Sequence, residues 1–253
     1  MIGIIHSQFD QDATRFLNDA VITDPTQRLA INYLARELKL NSLWTKIIAA
    51  YPFIGGTLST CSKNLKENAN NLSFFNTVAG NFTSNGWTPN GTNSYANTNV
   101  NFPTETSLNS TALGFYSRTS NTTTGIDMGG SAASINSLIQ LISGTSISTF
   151  INNSTNISSS ITNTQGLFVV SRTSSVLTTA YRNGVSLNTS SAASISITNT
   201  DCFLGARSFA GSPLNFSNRQ LAFAFISSGL TAGEVSTLYT IIQQYQTILS
   251  RAV

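Results

Sequence analysis

The chain has 253 residues, with 13 Lys and Arg against 10 Asp and Glu, a net charge of +3 and only 9% charged residues, where an ordinary soluble domain has roughly 25%. A hydrophobic content of 40%, with 15 Phe and 7 Tyr, excludes a disordered chain and supplies a large core. The sparse Lys and Arg exclude a basic face of the kind nucleic acid requires, and no apolar run is long enough for a membrane span.

The charges are unevenly spread: thirteen of them precede residue 68, and no lysine follows Lys66. The chain therefore divides into a helical N-terminal part, a long polar β body and a C-terminal helix. The opening Met1-Ile2-Gly3-Ile4-Ile5-His6 has too short an apolar stretch and no basic residues for a signal peptide. A first helix is predicted over Ser7–Val21, with Ser7 as cap and Phe9, Ala13, Phe16, Leu17 and Ala20 on one face. Asp24-Pro25 stops it and starts a second helix, with Asp24 capping and Pro25 at the first helical position. Leu43, Trp44, Ile47 and Ile48 suggest a third, short helix ending before Tyr51-Pro52.

From Phe53 onward the pattern changes to short strands separated by Gly, Asn, Ser and Pro. Strands are expected at Leu72–Asn76, Ala112–Arg118, Ile126–Met128, Leu138–Ile142, Ser148–Ile151, Gly166–Arg172, Val176–Arg182, Val185–Thr189, Asp201–Ala206 and Gln220–Ser227. Asn183-Gly184 between two alternating runs predicts a two-residue type I′ hairpin, because both central residues must reach positive φ. Many short strands spaced by about ten residues predict an antiparallel β-sandwich. Thr231 followed by Glu234 three residues later starts a final helix over Thr231–Ser250, whose apolar face suits packing near the N-terminal helices. Cys61 and Cys202 allow one bridge, although two independent thiols fit the composition better, with Cys202 buried.

The hairpin Ala180-Tyr181-Arg182-Asn183-Gly184-Val185, the strand Phe203-Leu204-Gly205-Ala206 and the closing Ala222-Phe223-Ala224-Phe225-Ile226 with Gly229-Leu230-Thr231 resemble concanavalin A-like, laminin-G-like jelly rolls. Asp24-Pro25-Thr26-Gln27, Ala30-Ile31-Asn32, Leu43-Trp44-Thr45-Lys46, Tyr51-Pro52-Phe53-Ile54-Gly55-Gly56-Thr57, Pro89-Asn90-Gly91-Thr92-Asn93, Tyr95-Ala96-Asn97-Thr98, Tyr116-Ser117-Arg118-Thr119 and Gln246-Thr247 resemble a module of bacteriophage virion proteins. That resemblance implies a jelly-roll module over residues 24–253, with a helical lead (24–52), a sandwich (53–230) and a C-terminal helix (231–253). Residues 1–23 become the expected attachment or oligomerisation segment. It further implies a virion protein of fibre, spike, decoration or tail type, with other virion proteins as partners and a homo-oligomer, by analogy a trimer.

Candidate chemistry is thin. His6 is the one histidine, so His-based triads and His-rich metal sites have little to build from. Glu105, Asp127 and Asp201 are too far apart in sequence for the paired carboxylates of a glycosidase on one strand, and read as isolated surface or loop groups. Gly125-Ile126-Asp127-Met128-Gly129-Gly130 lacks the Lys-Ser/Thr ending of a phosphate loop and reads as a turn. No Asp-rich calcium loop is present. The expectation is a non-enzymatic structural protein without metal or cofactor, with a host-surface glycan adhesin and a glycan hydrolase of the same fold as alternatives. Phe9, Phe16 and Leu17 are the candidate attachment residues, since the first helix precedes the recognised module and has little core of its own to enter. Trp87, Asn90, Asn93 and Tyr95 are the candidate glycan platform, aromatics stacking on sugar faces while amides bond hydroxyls; against that role, the alternation around Tyr95 places its ring inside the sandwich.

Overall fold

The computed structural model describes residues 9–253. In chain order it contains α1 (Gln11–Asp19), α2 (Pro25–Leu40), β1 (Ile47–Tyr51), α3 (Leu58–Cys61), β2 (Ser73–Phe75), β3 (Phe82–Thr83), β4 (Gly86–Trp87), β5 (Tyr95–Asn101), α4 (Phe102–Glu105), β6 (Thr111–Ser117), β7 (Gly125–Ala132), β8 (Ile135–Ile142) and β9 (Ser146–Asn153). There follow β10 (Ile157–Ser160), β11 (Gly166–Ser174), β12 (Leu177–Arg182), β13 (Val185–Ser190), β14 (Asp201–Leu204), β15 (Arg207–Phe209), β16 (Ser212–Leu214), β17 (Leu221–Ser227) and α5 (Ala232–Ile248). An eight-stranded sheet runs β13-β12-β11-β6-β17-β4-β3, with β1 added on β17. A nine-stranded sheet runs β10-β9-β8-β7-β14-β5-β2, with β15 and β16 attached beside β7. The fold is the expected antiparallel sandwich, with helices at both ends of the sequence; β15 along β7 is a parallel pair.

The order of layers follows from which faces are apolar. Between the sheets lie Phe53, Trp87, Phe102, Phe115, Met128 and Phe168. On the far side of the eight-stranded sheet, Leu34, Leu38, Tyr116, Phe223, Ile242 and Tyr245 join it to the helices in a second core. The strands β6 and β17 are therefore buried on both faces. This explains why residues 221–226 read as an unbroken apolar run rather than an alternation. Phe223 and Phe225 face the helices, while Ala224 and Ile226 face the other sheet. Gly114 sits where a Cβ would come within 2.3 Å of the Phe225 ring, so only glycine admits that packing.

Local signals hold at several ends. Asp24 caps α2 through Oδ1, accepting from Gln27 N at 2.8 Å. Thr231 and Glu234 form the capping box of α5, and α2 and α5 share the second core. Burial alone would raise the Glu234 carboxyl, but Lys46 and the Thr231 N–H hold it below its ordinary value. Asn183 and Gly184 have φ of 49° and 78°, as a type I′ turn requires.

Three expectations change. The Ser7 cap lies outside the described residues; within them Asp10 caps α1, its Oδ1 accepting from Asp12 N at 2.9 Å and from Ala13 N at 3.2 Å. The predicted third helix is instead a turn followed by β1, which pairs antiparallel with β17. Ile47 and Ala50 enter the helix-side core while Ala49 and Tyr51 enter the inter-sheet core, so long-range pairing overrides a short helical spacing. The Gly125–Gly130 stretch is not a turn but part of β7.

Cys61 and Cys202 are both free and buried. Burial pushes the Cys61 thiol up to about 11, and the Cys202 thiol is raised by the same cause. Both are therefore expected to resist a thiol reagent at neutral pH in the native protein and to react only in denaturant. Release of chromophore from Ellman's reagent before unfolding would contradict this.

Candidate outer-face site

The expected attachment residues lie elsewhere than on a free surface. Phe16 and Leu17 are buried in this chain's own helix-side core, and Phe9 packs against it. The first helix has a core to enter because α2 lies beside it: Lys39 reaches back to Asp10 at 2.8 Å and to Asp12 at 2.6 Å. Those side chains are committed within the fold.

Of the expected glycan platform, Trp87 is misplaced. It is fully buried between the sheets, 6.1 Å from Phe53 and 5.1 Å from Phe74 by ring centroids, so it presents no face to a ligand. Tyr95 departs in the opposite sense: it lies outside the sandwich. Along β5 the inward positions are Ala96, Thr98 and Val100, all fully buried, which puts Tyr95, Asn97, Asn99 and Asn101 on the outer face.

There Tyr95 joins an aromatic row. Its ring stacks on Phe75 of β2 at 4.7 Å and 10°, and on Phe203 of β14 at 4.8 Å and 30°. Phe216 lies 6.5 Å from it in a tilted contact. The row follows from register: Phe75 is opposite Tyr95 across the β2–β5 ladder, and Phe203 is opposite Asn97 across β5–β14. Phe203 is buried beneath the row, whereas Phe75 remains 42% exposed on the edge strand. One face of Phe75 is covered by Tyr95, so its exposure comes from the other face and the ring edge. Burial raises the Tyr95 phenol above its ordinary value, leaving it a neutral donor.

A polar network borders the row along β5. The Asn97 and Asn101 amides both donate to Asp201, at 3.0 and 2.9 Å. A bulge between these pairs, with Asn99 at φ 58°, brings both amides to one carboxylate. Glu105 accepts from Asn101 N at 2.8 Å and from Asn70 Nδ2 at 2.5 Å. Two of the three carboxylates that looked isolated thus converge on Asn101. The third, Asp127, is fully buried and paired with Arg219.

At the other end of the row, Asn90 folds its own loop. Its Oδ1 accepts from the backbone of Thr92, Asn93 and Ser94, and its Nδ2 donates to Asn93 Oδ1 at 2.8 Å. Asn93 accepts from Asn76 through its carbonyl at 3.0 Å, and its own Nδ2 is uncommitted among the described residues. The structure therefore brings Asn93 and Tyr95 to one face, uses Asn90 to shape the loop, and removes Trp87.

The Phe75 and Phe203 rings, Asp201 and the β5 amides escaped the sequence reading. The signal was the period-two alternation of Tyr95-Ala96-Asn97-Thr98-Asn99-Val100-Asn101, which fixes two faces but not which of them is turned inward; Ala96, Thr98 and Val100 take the interior. A concavity of about 290 Å³ lies elsewhere, on the eight-stranded sheet, lined by hydroxyls that include Ser171, Thr179, Ser186 and Thr189. Its aromatic, Tyr181, is buried, so it lacks a free ring face.

No sequence family and no curated protein matches the chain. Solved structures do match in fold. Trypanosoma rangeli sialidase, in complex with a difluorinated sugar acid, is similar at a TM-score of 0.60 and 11% identity, over 86% of this chain and 40% of that one. A botulinum neurotoxin type C structure, described as entering cells through two ganglioside molecules, is similar at 0.54 and 12%, over 81% and 53%. The chain thus spans about half or less of the length of these proteins. The likeness establishes a jelly-roll-like sandwich. It also corrects the expectation that the chain is not an enzyme: the same fold occurs in chains of sialidases, and a shortage of histidine removes only histidine chemistry.

Proposed function

We propose that this chain is a carbohydrate-binding jelly-roll module displayed on a bacteriophage particle, contacting host-surface glycan through the outer face of β2, β5 and β14. The observation that carries the binding half is the exposed ring of Phe75, held on the Tyr95 and Phe203 rings below it, beside a rim of amides and carboxylates. Aromatic faces take the C–H faces of sugar rings, and amides and carboxylates take their hydroxyls. At a rise of about 3.3 Å per residue, the outer row of β5 is roughly 20 Å long, which suits an oligosaccharide chain more than a single sugar. The occurrence of this fold in a toxin described as ganglioside-dependent supports carbohydrate as the ligand class, and the charge of the sugar is set by each face's own side chains. The resemblance of segments within residues 24–57, 89–98, 116–119 and 246–247 to virion-protein modules supports display on a particle, with other virion proteins as partners and a homo-oligomer, trimeric in a fibre or spike, as its form.

Glycan-array screening of the full chain, followed by titration of a hit against Phe75→Ala, tests the binding. Phe75 is largely outside the core, so the variant is expected to melt as the parent does while losing about tenfold in affinity, the worth of roughly 1.4 kcal/mol of stacking. An unchanged affinity would overturn the assignment of the face.

A further inference from the structure

Granted that the outer face binds glycan, we infer that it selects uncharged sugars, hexoses and N-acetylhexosamines, and rejects sialylated and other anionic glycans. The inference rests on the charge of the rim. Asp201 lies on β14 opposite Asn101, two residues from Phe203 of the row, and Glu105 stands at the far end of the β5 face, bonded to Asn101 N. Their hydrogen-bond partners are the neutral side chains of Asn97, Asn101 and Asn70 and one backbone N–H.

The ion pairs among the described residues engage Asp10, Asp12, Asp19, Asp127 and Glu234, and none involves Asp201 or Glu105. Arg207, on the same sheet, stacks on Phe209 at 5.0 Å instead of pairing with either carboxylate. The rim thus carries two negative charges without a salt-bridge partner.

An ionised carboxylate only accepts hydrogen bonds, and it has room for about four. Each Asp201 oxygen takes one amide, so lone pairs remain for sugar hydroxyls, which donate. A sialic acid or uronic acid brought onto the same face adds a like charge at short range, where partial exclusion of water strengthens the repulsion. Neutral sugars meet acceptors they complement, and acidic sugars meet charges they oppose. The discrimination is electrostatic, so salt weakens it.

The experiment is an array of matched glycan pairs, each a neutral oligosaccharide and its sialylated counterpart, probed with the full chain in low and in high sodium chloride, and again with Asp201→Asn and Glu105→Gln. The expected result is binding to neutral members, with each sialylated partner weaker by about tenfold at low salt. That gap narrows in high salt and in either variant, while neutral binding changes little with salt. Equal or tighter binding of sialylated members, or a gap untouched by salt and by both variants, would overturn this inference and leave the glycan-binding reading standing. Absence of binding to every member would overturn the reading itself. The salt series on the unmodified chain gives a result even where a variant fails to fold.

Discussion

Asp127→Ala is expected to destabilise the protein by about 3–5 kcal/mol, the usual loss when one partner of a buried ion pair is removed. Asp127 and Arg219 are both fully buried, with Arg219 Nη1 3.2 Å from Asp127 Oδ2. Ser217 Oγ donates to Asp127 Oδ1 at 2.5 Å, and Arg219 Nη2 donates to the Thr123 carbonyl. Burial pushes the Asp127 carboxyl up while the guanidinium pulls it back. The pair ties β7 to the segment leading into β17, which belong to different sheets. Removing the carboxylate leaves a guanidinium in the core without its counter-charge, and that uncompensated charge is the origin of the loss. Urea unfolding followed by tryptophan fluorescence measures it. A double change to apolar residues of similar volume, Asp127→Leu with Arg219→Met, is expected to cost less than the single change, since neither charge is then stranded. A single-variant loss below about 1 kcal/mol would contradict this account of the pair.

Arg251→Ala is the second large effect, expected at about 3 kcal/mol or more because several buried carbonyls lose their donor together. Arg251 is 1% exposed, although it lies two residues before the last described residue. It donates to the carbonyls of Phe53, Pro52 and Ala222 at 2.8 Å each and to Gln246 Oε1 at 2.5 Å, and it lies over the Tyr245 ring at 5.3 Å. One guanidinium therefore clamps the end of α5 to the segment after β1 and to β17. Arg251→Lys is expected to recover only part of the loss, because an ammonium lacks the planar fork that serves several acceptors at once. Thermal unfolding compared across the two variants and the parent decides it, with equal melting of all three as the contradicting result.

The legible parts of the fold were those written in local chemistry. Asp24-Pro25, Thr231 with Glu234, and Asn183-Gly184 each fix a backbone geometry over a few residues, and each appears where its residues demand it. The run of short strands spaced by about ten residues also announced a sandwich. What escaped depends on contacts distant in sequence. Ile47 and Ile48 have helical spacing, yet the β1–β17 ladder that makes this stretch a strand joins residues 173 to 180 positions apart, Ile47 with Ser227 among them. Phe16 and Leu17 looked unpartnered because α2, α5 and the sheet that cover them cannot be read from the first helix alone. The site was half visible for the same reason: Asn93 and Tyr95 lie close in sequence, but Phe75, Phe203 and Asp201 reach them through the register of three strands. Trp87 looked like a binding residue by type, and the packing between the sheets used it as filler.

The most direct measurement of the central claim is nuclear magnetic resonance mapping of the full chain titrated with an oligosaccharide hit. The account predicts that shifts concentrate on the rings of Phe75 and Tyr95 and on the amides of Asn93, Asn97, Asn101 and Asp201. Shifts gathered instead around Ser171, Thr179, Ser186 and Thr189, with the aromatic row unmoved, would contradict it.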